Sequence, residues 1–144
     1  METLYLKLFE LLEQIPELKY VDLDYGQLQE EKPPLAYPAA LIKVAVPSVQ
    51  NVDDLFQLTN ADISITLVFK KSGETHSLAP AEIRKEALAY LRLNETLHRT
   101  LQGYEDNVLS PFSRASVADP VLRKGLKTTV HRYATLWRED TASS

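Results

Sequence analysis

The sequence has no cysteine among its 144 residues. This absence excludes disulfide bonds, zinc–thiolate sites, iron–sulfur clusters and thiol nucleophiles, and it is compatible with a reducing cytoplasm. Glycine is also scarce, because the chain has 4 glycines and they are not grouped. The sequence therefore lacks both a phosphate-binding loop and a dinucleotide-binding fingerprint. We expect no cofactor and no redox chemistry.

Two further absences concern membranes and nucleic acids. No apolar run approaches the roughly 20 residues that a membrane-spanning helix requires, and the first residues lack the features of a signal peptide. The formal net charge of −4 argues against generic binding to nucleic acid, which usually requires a basic surface. We therefore expect a soluble protein that has neither a membrane nor a specific nucleic acid as its partner.

The composition is that of a globular domain. Hydrophobic residues make up 44% and charged residues 25% of the chain, whereas disordered chains are poorer in apolar residues. A chain of this length is large enough to bury one hydrophobic core. We predict a single domain over residues 1–140 and a disordered tail over residues 141–144.

The clearest element is a strand over Asp62–Phe69. Apolar residues alternate here with polar ones at the spacing of a half-buried strand, which places this segment in the middle of a sheet. Val68 occupies an otherwise polar position, so the far face of the sheet should be partly covered near the end of this strand. The alternating apolar residues are Ile63, Ile65, Leu67 and Phe69.

The other elements follow from the same kind of spacing. We predict a first helix capped by Thr3 and ended near Ile15, and a long helix from Pro80 that ends before Gly103. Strands are predicted over residues 19–25, 40–46 and 126–137, with Pro47 ending the second, and a weak strand over 112–117. The long helix carries an apolar stripe made of Ile83, Ala87, Tyr90, Leu91, Leu97 and Leu101.

This order of elements, α-β-β-β-α-β-β, has no regular βαβ alternation. It is typical of an α+β domain. We predict an antiparallel or mixed sheet of about four to five strands, covered by one long helix and accompanied by a short N-terminal helix.

The connection over residues 48–60 is too long for a tight hairpin turn. It contains apolar residues that a fully solvated loop would not need, and two interpretations remain open. Either these residues fold back onto the core, or the connection is a partner-docking loop. The residues assigned to docking are Val52, Asp53, Asp54, Leu55, Phe56 and Leu58.

Charge is unevenly distributed, because acidic residues crowd the first part of the chain and basic residues crowd the last part. One interpretation is two solvated surfaces of opposite sign. The other is head-to-tail self-association, in which the acidic surface of one subunit meets the basic surface of the next. The residues assigned to this subunit interface are Asp22, Asp24, Arg123, Lys124 and Lys127.

The sequence shows no catalytic or metal-binding pattern. His76, His98 and His131 lie on a predicted loop, helix and strand, without the spacing that brings two histidines to one metal. A grouping of Ser113, Asp119 and His131 has no nucleophile motif to support it. We therefore assign no catalytic, cofactor-binding or metal-binding residue, and we predict a protein that is not an enzyme.

One resemblance indicates a function. The segments YVDLDYGQL at Tyr20–Leu28 and PPLAYPAALI at Pro33–Ile42 resemble sequences of phage and prophage structural proteins. The order of elements over nearly the whole chain is similar to that of phage tail-terminator or tail-completion proteins, the minor tail protein U-like group. The resemblance implies a homo-oligomeric ring, commonly a hexamer, that caps the tail tube. Its implied partners are the tail tube protein and the head-completion or connector protein.

The resemblance also implies a location in the virion tail, after synthesis in the host bacterial cytoplasm. The alternative from a different class is a small-ligand-binding or enzymatic α+β domain. Its site would lie between the long helix and the sheet, and a closed apolar pocket with convergent polar groups would favour it.

Overall fold

The computed structural model describes residues 2–51, 56–70, 80–106, 109–120 and 125–140. Within these ranges, two α-helices and five strands form a two-layer α+β fold. In chain order the elements are α1 (Glu2–Glu13), β1 (Tyr20–Leu23), a short 3₁₀ helix (Gln27–Gln29), β2 (Ala39–Asn51), β3 (Phe56–Lys70), α2 (Pro80–Leu101), β4 (Ser113–Ala118) and β5 (Leu126–Asp140). The sheet has the strand order β1-β2-β3-β5-β4.

The predicted fold class is confirmed. The sheet is mixed, because β1 runs parallel to β2, whereas the pairs β2–β3, β3–β5 and β5–β4 are antiparallel. The strand predicted over Asp62–Phe69 lies at the centre of the sheet within β3. No helix in the described ranges is both long and apolar enough to cross a membrane.

The main core lies between one face of the sheet and both helices. Alternate residues of β3 point into this core, as the period of 2 requires. The first helix also contributes to this core, because four leucines on one stripe of α1 are buried. The buried residues that form the centre of the core include Leu4, Leu8, Leu12, Ile63, Ile65, Leu67, Leu93, Leu97, Leu101 and Tyr133.

Among the described residues, a second buried cluster covers one end of the opposite face of the sheet. Ala39, Leu41 and Val68 form this smaller cluster. The connection between β1 and β2 covers this cluster with Leu28, Leu35 and Tyr37. The prediction from Val68, that the far face is partly covered near the end of the central strand, is confirmed.

The predicted loop over residues 48–60 is wrong. β2 continues to Asn51 and β3 begins at Phe56, so the flanks of this segment are paired strands, with Ser48 opposite Asn60 and Asn51 opposite Gln57. Pro47 does not end β2, because the strand contains a bulge between Ala45 and Ser48. A bulge leaves a residue unpaired, so the missing amide hydrogen of proline interrupts no ladder bond. Residues 52–55 lie outside the described residues.

Both helices differ from their predicted details. α1 begins at Glu2, so Thr3 lies inside the helix and does not cap it. α2 runs without a break over the predicted range, and Gly103 follows it with a positive φ of 77°. Its first turns are exposed, including Ile83, Ala87 and Leu91, which were predicted to be buried.

The exposed start of α2 has a geometric cause. Ile83 and Ala87 point towards the sheet, but a groove of about 250 Å³ separates them from Phe69 and Lys127. Close packing begins only at Tyr90 and continues through Leu93, Leu97 and Leu101. Leu91 points away from this stripe and is 55% exposed.

Candidate functional site: a polar cleft between the long helix and the sheet

Three polar pairs connect α2 to β5. Residues four apart on a helix lie on one side, and residues two apart on a strand lie on one face. Tyr90, Asn94 and His98 therefore form a row on α2 that faces Thr129, His131 and Tyr133 on β5. The hydrogen bonds join Tyr90 to Thr129, Asn94 to His131 and His98 to Tyr133.

The first pair is completed by Asp119. Oδ1 of Asp119 lies 3.0 Å from the hydroxyl oxygen of Tyr90 and 2.9 Å from that of Thr129. Because each hydroxyl carries one proton, these three oxygens share two hydrogen bonds at a time. Burial and the neighbouring carboxylate raise the pKa of Tyr90 to about 12. The tyrosine hydroxyl consequently keeps its proton at neutral pH and acts as a donor.

The second pair fixes the tautomer of a buried histidine. Nδ2 of Asn94 donates to the carbonyl of Tyr90 over 2.8 Å, which turns its Oδ1 towards His131. Nε2 of His131 lies 2.7 Å from this oxygen and must be the donor. Nδ1 of His131 is therefore an acceptor, and it is buried without a partner among the described residues.

The charge state of His131 follows from its surroundings. Burial lowers its pKa to about 4, with contributions of the same sign from Arg114 and His98, while Asp119 acts in the opposite direction. The imidazole is therefore neutral at pH 7. Its side chain is only 2% exposed.

The third pair fixes the second histidine. Nδ1 of His98 lies 3.0 Å from the hydroxyl of Tyr133. Burial raises the pKa of Tyr133 to about 12, so its hydroxyl keeps its proton at neutral pH. This hydroxyl can donate to Nδ1 or accept from it, depending on the tautomer of His98. Burial and the charge of Arg114 lower the pKa of His98, which favours the neutral ring.

These pairs line a cleft of about 460 Å³ between α2 and the β4–β5 edge of the sheet. Its opening carries charges of both signs, with Arg114 on β4, Asp119 after β4 and Glu95 on α2. Such a cleft offers neutral imidazoles, protonated hydroxyls and one guanidinium for hydrogen bonding. Within the described ranges, no three His, Asp or Glu side chains are grouped so that they could hold a metal ion.

Sequence spacing did not indicate that His98 and His131 share one cleft. His76 lies outside the described residues, and Ser113 does not line the cleft. One signal was available, because Asn94 and His98 fall on the core-facing side of the long helix, next to Leu93 and Leu97. A polar residue at a position that faces the core requires a partner on the opposing element.

Three of the residues predicted to form a subunit interface lie in the described part of the chain, and each has different contacts. Asp22 lies in β1 and accepts hydrogen bonds from the hydroxyl groups of Tyr20 and Tyr25. Although burial raises the pKa of Asp22, these bonds and one from a backbone amide keep it below its ordinary value. Asp24 follows β1 and accepts from the Gly26 amide. Lys127 is exposed at the start of β5, with Nζ 4.3 Å from the centre of the Tyr90 ring.

The remaining predicted positions are only partly described. Arg123 and Lys124 lie outside the described residues, as do the docking residues Val52, Asp53, Asp54 and Leu55. Phe56 begins β3, opposite Asp140 of β5. Leu58 lies in the same strand, half-buried and opposite Gln50. The assignment of these residues to partner docking stays a prediction.

Comparison with known proteins adds no family assignment. No family model matches the chain, and no curated protein is significantly similar to it in sequence.

Proposed function

We propose that the protein is a non-enzymatic structural subunit of a phage or prophage tail. In this role it is a terminator or completion protein that caps the tail tube as a ring and joins it to the head connector. The resemblance of residues 20–42 to phage structural proteins supports the proposal. The α-β-β-β-α-β-β order of the fold is compatible with it.

The observation that carries the proposal is the arrangement of charge across the sheet. β1, with Asp22, forms one edge of the sheet, and β4, with Arg114, forms the opposite edge. Asp22 and Arg114 therefore lie at opposite edges of the sheet. A head-to-tail contact joins two different surfaces and closes into a ring when the rotation between subunits permits it.

The expected strength of such a contact determines where the ring forms. Charge pairs at the rim of an interface contribute about 0–1 kcal/mol each and mainly guide encounter and orientation. We expect the free protein to be monomeric and the ring to form on the end of a tail tube. The tube protein and the connector protein are then the partners that stabilise it.

The first test reverses the basic charges assigned to the interface. We expect the combined variant R123E/K124E/K127E to fold but to fail in ring formation, because like charges then face each other across the contact. Electron microscopy of tails assembled with this variant should show uncapped tails of irregular length. Circular dichroism establishes that the fold is retained.

A matched control reverses three exposed basic residues of α2 in the variant R84E/K85E/R92E. This control changes the net charge by the same amount at positions that are not assigned to the contact. Capped tails of normal length and yield with the interface variant would refute the charged-surface contact. Equal defects in both variants would show that only the net charge matters.

The second test concerns Phe56, the first residue of β3. If Phe56 inserts into a partner pocket, Phe56→Ala should weaken binding to the tail by on the order of 2 kcal/mol, as buried aromatic anchors do. The melting temperature of the free protein should then stay close to that of the wild type. A large fall in melting temperature would instead assign Phe56 to the core and remove it from the docking surface.

A further inference from the structure

The cleft between α2 and the sheet contains a hydrogen-bond acceptor that has no donor among the described residues. Buried polar groups in native proteins nearly always have hydrogen-bond partners, and each exception requires an explanation. Nδ1 of His131 is such an exception, because Asn94 occupies Nε2 and leaves Nδ1 as a lone pair. A group with an N–H or O–H donor, supplied from outside the described chain, would complete this site.

The cleft also has two electrically different ends. Since β5 runs alongside α2 here, Tyr90 and Thr129 mark one end, whereas His98 and Tyr133 mark the other. Asp119 lies at the first end, where its Oδ1 is within hydrogen-bond distance of the hydroxyls of Tyr90 and Thr129. Arg114 lies at the second end, where its charge disfavours protonation of His98.

The second end suits an oxyanion. The guanidinium of an arginine presents parallel donors that match a carboxylate or a phosphate. When Tyr133 donates to Nδ1 of His98, Nε2 of this neutral ring carries the proton and adds a further donor at the same end. An anion bound here would lie beside a positive charge and two donor groups, whereas a second anionic group would meet Asp119 at the other end.

We infer that this cleft binds a small ligand that carries a carboxylate or phosphate group, held by Arg114 and His98, and a hydrogen-bond donor that reaches Nδ1 of His131. The inference does not depend on the proposed role in a phage tail. A carboxylate and a phosphate both present negatively charged oxygens to Arg114. They differ in whether the anionic group itself also carries a hydrogen-bond donor. Phosphate has a P–OH group at neutral pH, and acetate has no donor.

The test uses the full chain labelled with ¹⁵N in its histidine rings. Inorganic phosphate should shift the ring nitrogens of His98 and of His131 in a saturable manner, because it supplies both an oxyanion and a donor. Acetate should shift those of His98 alone. Each bound anion should also raise the pKa of His98, since it offsets the charge of Arg114. Whichever probe binds more tightly identifies the source of the oxyanion.

The decisive variant is Arg114→Gln, which should weaken binding about tenfold or more, as expected for the loss of a charge-assisted hydrogen bond. Arg114→Lys keeps the charge without the paired donors and should show a smaller loss. The matched control is Arg132→Gln, which removes an exposed arginine that lines a different cavity, on the other face of the sheet. Circular dichroism verifies the fold of each variant.

Three outcomes would overturn the inference. In the first, His98 shows no saturable shift with either probe. In the second, phosphate leaves Nδ1 of His131 unchanged. In the third, Arg132→Gln weakens binding as much as Arg114→Gln does, which would show a general charge effect.

Discussion

Replacing Leu97 with alanine is expected to lower the free energy of unfolding by roughly 2–5 kcal/mol. The side chain of Leu97 is fully buried in the main core, between the sheet and α1. Its truncation removes apolar contacts and leaves a cavity that a close-packed interior fills only in part. Denaturant unfolding of the two proteins, followed by circular dichroism, measures the difference.

Leu91→Ala is the matched control for this experiment. It makes the same chemical change on the same helix, but Leu91 is 55% exposed. We expect a loss within about 0.5 kcal/mol, as for ordinary surface substitutions. If Leu91→Ala lowers the free energy of unfolding as much as Leu97→Ala does, Leu91 is buried in the protein. The apolar stripe predicted from the sequence would then describe the packing of α2 better than the structure does.

Acidification from neutral pH to pH 4 is expected to destabilise the fold through His131 by roughly 1–3 kcal/mol. The folded pKa is lowered to about 4, below the ordinary value of 6.5. Between pH 4 and pH 6.5, His131 is protonated in the unfolded chain but neutral in the folded protein. Stability from this group is therefore complete above pH 6.5, falls as the pH decreases and is lost below about pH 4.

The matched variant for the acid effect is His131→Gln. Glutamine can donate to Asn94 as Nε2 of the histidine does, but it does not titrate in this range. Other groups, among them Asp22, also lose stability at low pH, and they do so equally in both proteins. Unfolding curves at several pH values should show a shallower loss for the variant. Identical pH dependence in the two proteins would contradict the role of His131.

Much of the fold could be predicted from short-range pattern. The alternation around Ile65 identified the central strand, and Val68 indicated the covered end of the far face. These patterns succeed because strand geometry fixes the direction of each side chain once one face is buried. The helix from Pro80 to Leu101 was equally well marked, since Gly103 supplies the positive φ that ends it.

The features that the sequence did not predict share a different cause. They depend on contacts between elements that are distant in sequence. A bulge accommodates Pro47 within β2. From the sequence alone, where the pairing partner of β2 is unknown, a proline followed by a polar segment indicates a loop. The polar cleft depends on the register between α2 and β5, which brings Asn94 opposite His131. A spacing search within one element cannot detect such a pair.

One consequence of the bulge concerns the outer edge of β2. Beyond Ile42 this strand has no neighbouring strand on its outer side within the described residues, because β1 ends at Leu23. Open edges are templates for aggregation by strand addition. Here the amide of Val44 donates to the hydroxyl of Tyr5 over 3.1 Å, and Pro47 has no amide hydrogen to offer. Val44 and Pro47 therefore offer no free amide to a strand of another chain at these two positions of the edge.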